Sequence, residues 1–226
     1  MEIQETFLVD IPVKRGLDEV KPVWDMLNDN GHARGYIAGS FAAWMAVDDS
    51  DWQPNDIDIF AASDADFSKL KDEIRINLDY WEEYVGEILA RFVPGSGGEI
   101  QRDIQLIRPN PRWADIKTDL LQSFDISACR ALLCSPHTLL ADISVGTTDG
   151  KVLIVNDPVK TLTRLLKYHR RGVDFRVNEL TKVLRAWSAM DGETRLSLLE
   201  MHEASPEEPQ HWDYDLYDED DYFYGE

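Results

Sequence analysis

The spacing of apolar residues divides the chain into a first part that contains strands and a later part that contains helices. One early group repeats every three or four positions and predicts a short amphipathic helix: Leu17, Val20, Val23, Trp24 and Leu27. The same spacing returns after Asp157-Pro158 and continues to about Ala204. Residues 205–226 contain one aliphatic residue, Leu216, and cannot contribute much to a core. We therefore predict three regions: 1–156, 157–204 and a tail, 205–226.

Short apolar or alternating segments within residues 1–156 predict strands and helices. The predicted strands are 56–60, 88–93, 100–107, 124–133, 141–145 and 151–155. The predicted helices are 41–46, a segment after Ser63 or Asp64 that carries Phe67, Leu70 and Ile74 on one face, and 115–122. Glycine-rich residues 94–98 predict one hairpin loop, and Asp149-Gly150 predicts the turn of another. Tyr80 to Gly86 is ambiguous.

Composition and charge limit the function classes. The chain has 226 residues, of which 43% are hydrophobic, so it can bury a core. Its net charge is -20, and the tail contributes nine acids with no Lys or Arg, which leaves -11 for the rest. A nucleic-acid ligand would need a local basic patch, because such ligands are bound through positive charge. Two cysteines and an N-terminus without basic residues lead us to expect a cytoplasmic protein with free thiols.

The candidate chemistry lies in a turn and a strand. Gly39-Ser40 follows an apolar segment and precedes a predicted helix, an arrangement whose backbone N–H groups suit a phosphate. Downstream, Asp56 and Asp58 would point to the same side of their strand, since side chains alternate along a strand. Two such carboxylates repel each other unless a cation lies between them, and Mg²⁺ favours carboxylate and phosphate oxygens. The simpler alternative is a half-exposed strand with two solvent-facing aspartates.

This pattern of a Gly-Ser turn, a short helix and Asp-hydrophobic-Asp-hydrophobic resembles the DNA polymerase beta-like nucleotidyltransferases, which include CCA-adding enzymes and poly(A) polymerases. The resemblance implies an α+β fold with a mixed β-sheet, flanking helices and a helical C-terminal region. It also implies a third carboxylate on a neighbouring strand. Asp103, in Arg102-Asp103-Ile104-Gln105-Leu106-Ile107, resembles that residue. Asp125 is the alternative, because it also begins an apolar segment.

A basic segment after Asp157-Pro158 resembles the start of the helical region in CCA-adding enzymes. Arg164, Lys167, Arg170 and Arg171 are its cations, and Arg164 and Lys167 share one helix face at their spacing of three. The resemblance implies that this face meets a triphosphate or an acceptor. A solvated basic face that offsets acidic neighbours would have the same sequence.

The resemblance implies a transferase that moves NMP from an NTP, such as ATP, to an acceptor hydroxyl. Asp56, Asp58 and Asp103 would be its catalytic residues and would bind Mg²⁺ or Mn²⁺, while Gly39, Ser40, Arg164 and Lys167 would bind the nucleotide. The acceptor stays open between a short RNA end, such as that of a tRNA, a protein hydroxyl and a small molecule. The alternative function is an inactive binding or regulatory module of the same fold.

The acidic tail is unusual because aromatic residues recur within it about every two to three positions. A segment that only solvates the chain would not need them. We expect the tail to contact either a basic partner or the chain's own basic helix.

Overall fold

The computed structural model describes residues 8–28, 33–48, 52–97, 100–111 and 113–204. The tail, with everything predicted for it, lies outside these residues. The helices are α1 (Leu17–Asn28), α2 (Ser40–Met45), α3 (Asp64–Asn77), α4 (Ile116–Ser123), α5 (Pro158–Arg170), α6 (Val177–Ala189) and α7 (Gly192–Ala204). The strands are β1 (Leu8–Pro12), β2 (Gly35–Ala38), β3 (Asp56–Ala61), β4 (Tyr80–Val85), β5 (Leu89–Pro94), β6 (Asp103–Ile107), β7 (Ala131–Ser135), β8 (Thr138–Asp142), β9 (Asp149–Gly150) and β10 (Asp174–Phe175).

Eight strands form one mixed sheet in the order β1-β8-β7-β2-β3-β6-β5-β4. The central pair β3–β6 is parallel, and the other pairs of this sheet are antiparallel. A parallel pair needs a crossover connection, and here α3, β4 and β5 supply it. The predicted α+β fold with a mixed sheet and flanking helices is therefore confirmed.

Three apolar clusters hold the helices on the sheet. The large cluster contains Ile57, Ile59, Ile104 and Leu106 of the central strands, together with buried residues of α1, α2 and α3. A second cluster lies on the opposite face, where Leu120 and Leu121 of α4 pack near Ala38 and Leu132. Helix α4 thus covers this face of the sheet at β2 and β7. The polar side chains of β3 lie on the same face, next to the part that α4 covers.

The third cluster joins the two predicted regions. Ile126, Cys129 and Val152 from the first region pack there with Leu165, Tyr168 and Val183 from α5 and α6. The short parallel pair β9–β10 also crosses the predicted boundary between residues 156 and 157. The division into separate domains at this boundary stays a prediction.

Two predicted strand assignments are wrong. Residues 124–133 contain a short 3-10 helix, Ser127–Cys129, before β7 begins at Ala131. The predicted hairpin of 141–145 with 151–155 does not form, because Ala141 belongs to β8, which pairs with β7 and β1. Val152 instead makes an isolated bridge with Ile126. Apolar runs alone could not distinguish these pairings, since each candidate strand has a similar composition.

Candidate active site

Two aspartates project from one face of β3. Ile57 and Ile59 are fully buried in the large cluster, so the alternating side chains Asp56 and Asp58 point to the opposite face, where both are half-buried. The alternation of buried and half-buried residues agrees with the strand predicted at 56–60, and it points the two carboxylates in the same direction. Asp56 also accepts a hydrogen bond from the side-chain amide of Gln105 on β6.

Asp103 begins β6 directly opposite Asp56 in the parallel register. The Nη2 and Nε atoms of Arg91, on β5, donate to the Oδ2 atom of Asp103 at 2.5 and 3.1 Å. The same guanidinium pairs with Glu83 at 3.1 Å. The hydrogen bond with Asp103 raises the pKa of Arg91. Arg91 therefore offsets negative charge in a row of carboxylates that would otherwise repel one another.

Arg102 fixes the start of β6 from the other side of the sheet. Its guanidinium pairs with Glu19 of α1 and lies 5.7 Å from the ring centre of Phe41, in α2. These contacts attach the residue before Asp103 to two helices of the large cluster. The backbone of Asp103 is thereby held against the core while its side chain points away from it.

The donor chemistry of this face fits a hard divalent cation, since Asp56, Asp58 and Asp103 supply carboxylate oxygens. Across the residues that the structure describes, however, no three His, Cys, Asp or Glu side chains are grouped closely enough to hold a metal ion. Arg91 binds the Oδ2 atom of Asp103, so a cation at that oxygen would have to replace it.

Gly39 brings the backbone close to Asp58. Its φ of 83° and ψ of -147° lie in a region that side chains rarely allow. A Cβ atom added there would lie 2.6 Å from the Oδ2 atom of Asp58. Its N–H donates to the carbonyl of Ala131 at 3.0 Å, so it does not point freely toward a ligand. Ser40 begins α2, whose six residues give it only a weak dipole.

Asp125, the alternative third carboxylate, lies elsewhere and joins α5 to the body of the protein. It is buried, and it accepts hydrogen bonds from Thr161 at 3.1 Å and from Arg164 at 2.8 Å. Although burial lowers the pKa of Arg164, the charge of Asp125 outweighs this effect and raises it. Arg164, predicted to bind nucleotide, is thus engaged by Asp125, while Lys167 is half-buried one turn further along α5.

Tyr168 and Cys129 are buried together in the third apolar cluster. Burial raises the pKa of the Cys129 thiol to about 11, while the charge of Arg164 lowers it and those of Asp125 and Asp58 raise it. Burial also raises the pKa of Tyr168. Both groups therefore stay neutral near pH 7.

Sequence reasoning missed Arg91, Gln105 and Arg102. Gln105 could have been found, because it stands two residues after Asp103 and so shares its face. Arg91 offered no such signal, since the register of β5 against β6 decides which carboxylate it meets. Arg102 is adjacent to Asp103, but its partners come from α1 and α2.

No helix of the described residues combines the length and the apolar character needed to cross a membrane. No protein-family model and no curated protein sequence matches this chain.

Solved structures do share its fold. A CCA-adding enzyme in an apo form aligns with 82% of this chain and 46% of its own, at 16% identity and a TM-score of 0.54. A tRNA nucleotidyltransferase with a primer tRNA and an incoming ATP analog aligns with 74% of this chain and 52% of its own, at 13% identity and a TM-score of 0.51. A CCA-adding enzyme with ATP aligns with 76% and 43%, at 18% identity and a TM-score of 0.48.

The chain thus spans about half the length of these proteins. At such low identity the likeness concerns architecture alone. With its mixed sheet and flanking helices, the chain has a nucleotidyltransferase fold.

Proposed function

We propose that this chain transfers a nucleoside monophosphate from a nucleoside triphosphate, such as ATP, to an acceptor hydroxyl. The observation that carries the proposal is the register of β3 and β6, which sets Asp103 opposite Asp56 while Asp58 shares their face. Three carboxylates on adjacent strands, outside the apolar cluster, are costly to a fold and need a compensating function. Phosphoryl chemistry with a divalent cation supplies one.

The chain's own residues would act mainly by holding and orienting the substrates. Asp56, Asp58 and Asp103 would hold Mg²⁺ or Mn²⁺, which, when bound, neutralises charge on the phosphate oxygens. Gly39 lets the backbone of the Gly-Ser turn lie directly against Asp58, because any larger residue would press on that carboxylate. We propose that Ser40 contacts the β- and γ-phosphates, and that Lys167 and Arg164 add positive charge. In this role, the Arg164 guanidinium would bind both a phosphate and Asp125.

The acceptor we propose is a short RNA end, such as that of a tRNA. Residues 157–204 contain nine Lys and Arg and seven Asp and Glu, so they form a mildly basic region in an acidic chain. One structural neighbour was solved with a primer tRNA and an incoming ATP analog. Because this chain spans only part of those proteins, their activity comes to it as a proposal.

A direct assay tests the transfer. The protein is incubated with Mg²⁺, each labelled NTP in turn, and short RNAs with free 3′ hydroxyls, and the labelled product is measured. Asp58→Asn keeps the shape of the side chain and removes its charge, so we expect no product and an unchanged fold by circular dichroism. Transfer by this variant at the wild-type rate would contradict the role of the carboxylates.

A second candidate function is a non-catalytic binding module. The ion pair of Arg91 with Asp103 favours this function, because Arg91 occupies one oxygen of a carboxylate that the chemistry would need. In this function the acidic tail would dock on a basic partner. A crystal soaked with Mn²⁺ discriminates between the two: anomalous density between Asp56 and Asp58 favours the enzyme, and its absence favours the module.

A further inference from the structure

The face of the sheet that carries the aspartates is open on one side of them. On the β2 and β7 side, α4 covers this face with Leu120 and Leu121. On the other side lie β6, β5 and the edge strand β4. Among the described helices, α3 packs against these strands, and its buried residues Phe67, Leu70 and Ile74 belong to the large cluster on the opposite face.

An exposed tryptophan stands in the same row as the carboxylates. Trp81 of β4 pairs with Val93 of β5, and Phe92 of β5 pairs with Ile104 of β6, so Val93 comes beside Asp103 one step further. Asp103 in turn pairs with Asp56. The row therefore runs Trp81, Val93, Asp103, Asp56 across four strands. Trp81 is 68% exposed, a large fraction for a tryptophan.

Trp81 faces the open side because its neighbour faces the core. Tyr80 is buried in the large cluster, and its hydroxyl donates to the carbonyl of Arg102 at 2.6 Å. This hydrogen bond ties the start of β4 to the residue before Asp103. The backbones of Trp81 and Asp103 are two strand spacings apart, about 10 Å. One nucleoside can bridge such a span.

The charges of the row select the uncharged end of an acceptor. Asp103 and Asp56 carry negative charge in this row and Glu83 carries it beside the row, and the Arg91 guanidinium pairs with Glu83 and Asp103. A run of phosphates would be repelled, whereas a base and a ribose would not. An indole face stacks on any base, and such stacking does not depend on sequence.

We propose that Trp81 is the stacking platform for the terminal base of a single-stranded RNA, which holds the 3′ ribose of the acceptor near Asp103. This inference rests on the proposed NMP transfer, and it adds the site where the acceptor binds. Arg91 then meets the last phosphate when it leaves Asp103. The platform determines affinity for the acceptor and has no part in binding the NTP.

The test measures binding without NTP or added metal, by fluorescence anisotropy of two short labelled RNAs. One ends in a complete nucleotide with a free 3′ hydroxyl, and the other lacks the base of that last residue. We expect Trp81→Ala to weaken binding of the first roughly 5- to 150-fold, the range that stacking on an aromatic side chain supplies. The same substitution should leave binding of the second unchanged, and Trp81→Phe should retain most of the affinity.

Ile76→Ala is the matched control, because Ile76 is 71% exposed on α3, which packs on the opposite face. It should bind both RNAs as the wild type does. An equal loss on both RNAs, no loss on either, or no binding of RNA by the wild type would each overturn the platform. Transfer to another acceptor would survive those results. Base-dependent binding without any NMP transfer would instead overturn the proposed function and leave the platform standing.

Discussion

At the scale of single residues, close packing around Asp58 is the feature most sensitive to change. Gly39 combines a backbone conformation suited to glycine with a contact distance that leaves no room for a methyl group. Asp58 is half-buried and thus cannot move freely away. The backbone conformation and the contact with Asp58 are separate effects. Gly172 has the same φ without such a contact, so a substitution there measures the first effect alone.

We expect Gly39→Ala to lower the free energy of unfolding by about 1–3 kcal/mol, the cost of a side chain in this backbone region. Because the new methyl group would displace the Asp58 carboxylate, NMP transfer should also be lost. Urea unfolding and the transfer assay measure the two effects. Gly172→Ala is the control: its φ is also 83°, but nothing lies within 4 Å of an added Cβ atom. It should be destabilised and remain active, and equal activity loss in both variants would contradict the contact with Asp58.

The two candidates for the third carboxylate, Asp103 and Asp125, differ in the residues that they bind. We expect Asp103→Asn to abolish transfer with little change in stability, because an amide still accepts a hydrogen bond from Arg91. Asp125→Ala should instead cost about 2–3 kcal/mol, since it leaves Thr161 and Arg164 without a charged partner. Thermal unfolding and transfer rates are measured for both. A stable but inactive Asp125→Ala variant would reverse the assignment.

At the scale of elements, α5 determines how the helical region meets the sheet. Asp157 caps its first turn by accepting from the N–H of Lys160 at 3.0 Å, and Pro158 begins the helix. The Oδ2 atom of Asp157 also lies 2.7 Å from the Nε2 atom of His202 in α7. One carboxylate thus caps a helix and attaches a second one to it.

This arrangement predicts a pH-dependent stability. Burial opposes ionisation of Asp157, but the N–H of Lys160 and the His202 side chain outweigh burial and lower its pKa. A carboxyl group whose pKa is lowered by folding stabilises the folded state at pH values above its ordinary pKa. This stabilisation is lost as the pH falls through the lowered pKa. Asp157→Ala should therefore cost about 1 kcal/mol at pH 7, the usual worth of an N-cap.

That cost should shrink as the pH falls from 5 toward 2, as measured by urea unfolding at each pH. Asp115→Ala, which removes the cap of α4 without a histidine partner, provides a capping control. Coupling between Asp157→Ala and His202→Ala in a double-mutant cycle should be visible at pH 7. A coupling energy of zero would show that the contact with His202 contributes nothing.

At the scale of the whole molecule, charge is distributed unevenly along the chain. The tail, residues 205–226, carries -9 of the total charge of -20, while residues 157–204 are slightly positive. We propose that the tail, which lies outside the described residues, competes with RNA for the basic residues of α5. Such a contact would weaken as salt screens it.

Deleting residues 205–226 should leave the melting temperature nearly unchanged and raise RNA affinity at low salt. Anisotropy titrations across a salt series measure this affinity. A full-length variant with the nine tail acids changed to their amides is the control, and it should behave like the deletion if charge is the cause. If the deletion unfolds the protein, the tail has a structural role. If it does not raise RNA affinity, the tail does not compete with RNA.

The sequence by itself determined the elements whose pattern is local. The alternation of Asp56 to Phe60 predicted β3 and the shared direction of its aspartates, and the periodic leucines predicted the late helices. Ser63 or Asp64 was expected to cap a helix, and Ser63 accepts a hydrogen bond from the N–H of Asp66 at the start of α3. These features depend on side-chain period and capping, which neighbouring residues fix.

Only the tertiary structure decided which strands pair and which charges meet. Similar apolar runs could pair in several ways, and β8 pairs with β7 where the sequence predicted another hairpin. Asp125 binds Arg164 of α5, whereas Asp103 lies in β6 opposite Asp56. The registers of β4, β5 and β6 then brought Arg91 to Asp103 and Trp81 into the same row. Pairing of this kind is set by long-range packing of the whole sheet, which local patterns do not contain.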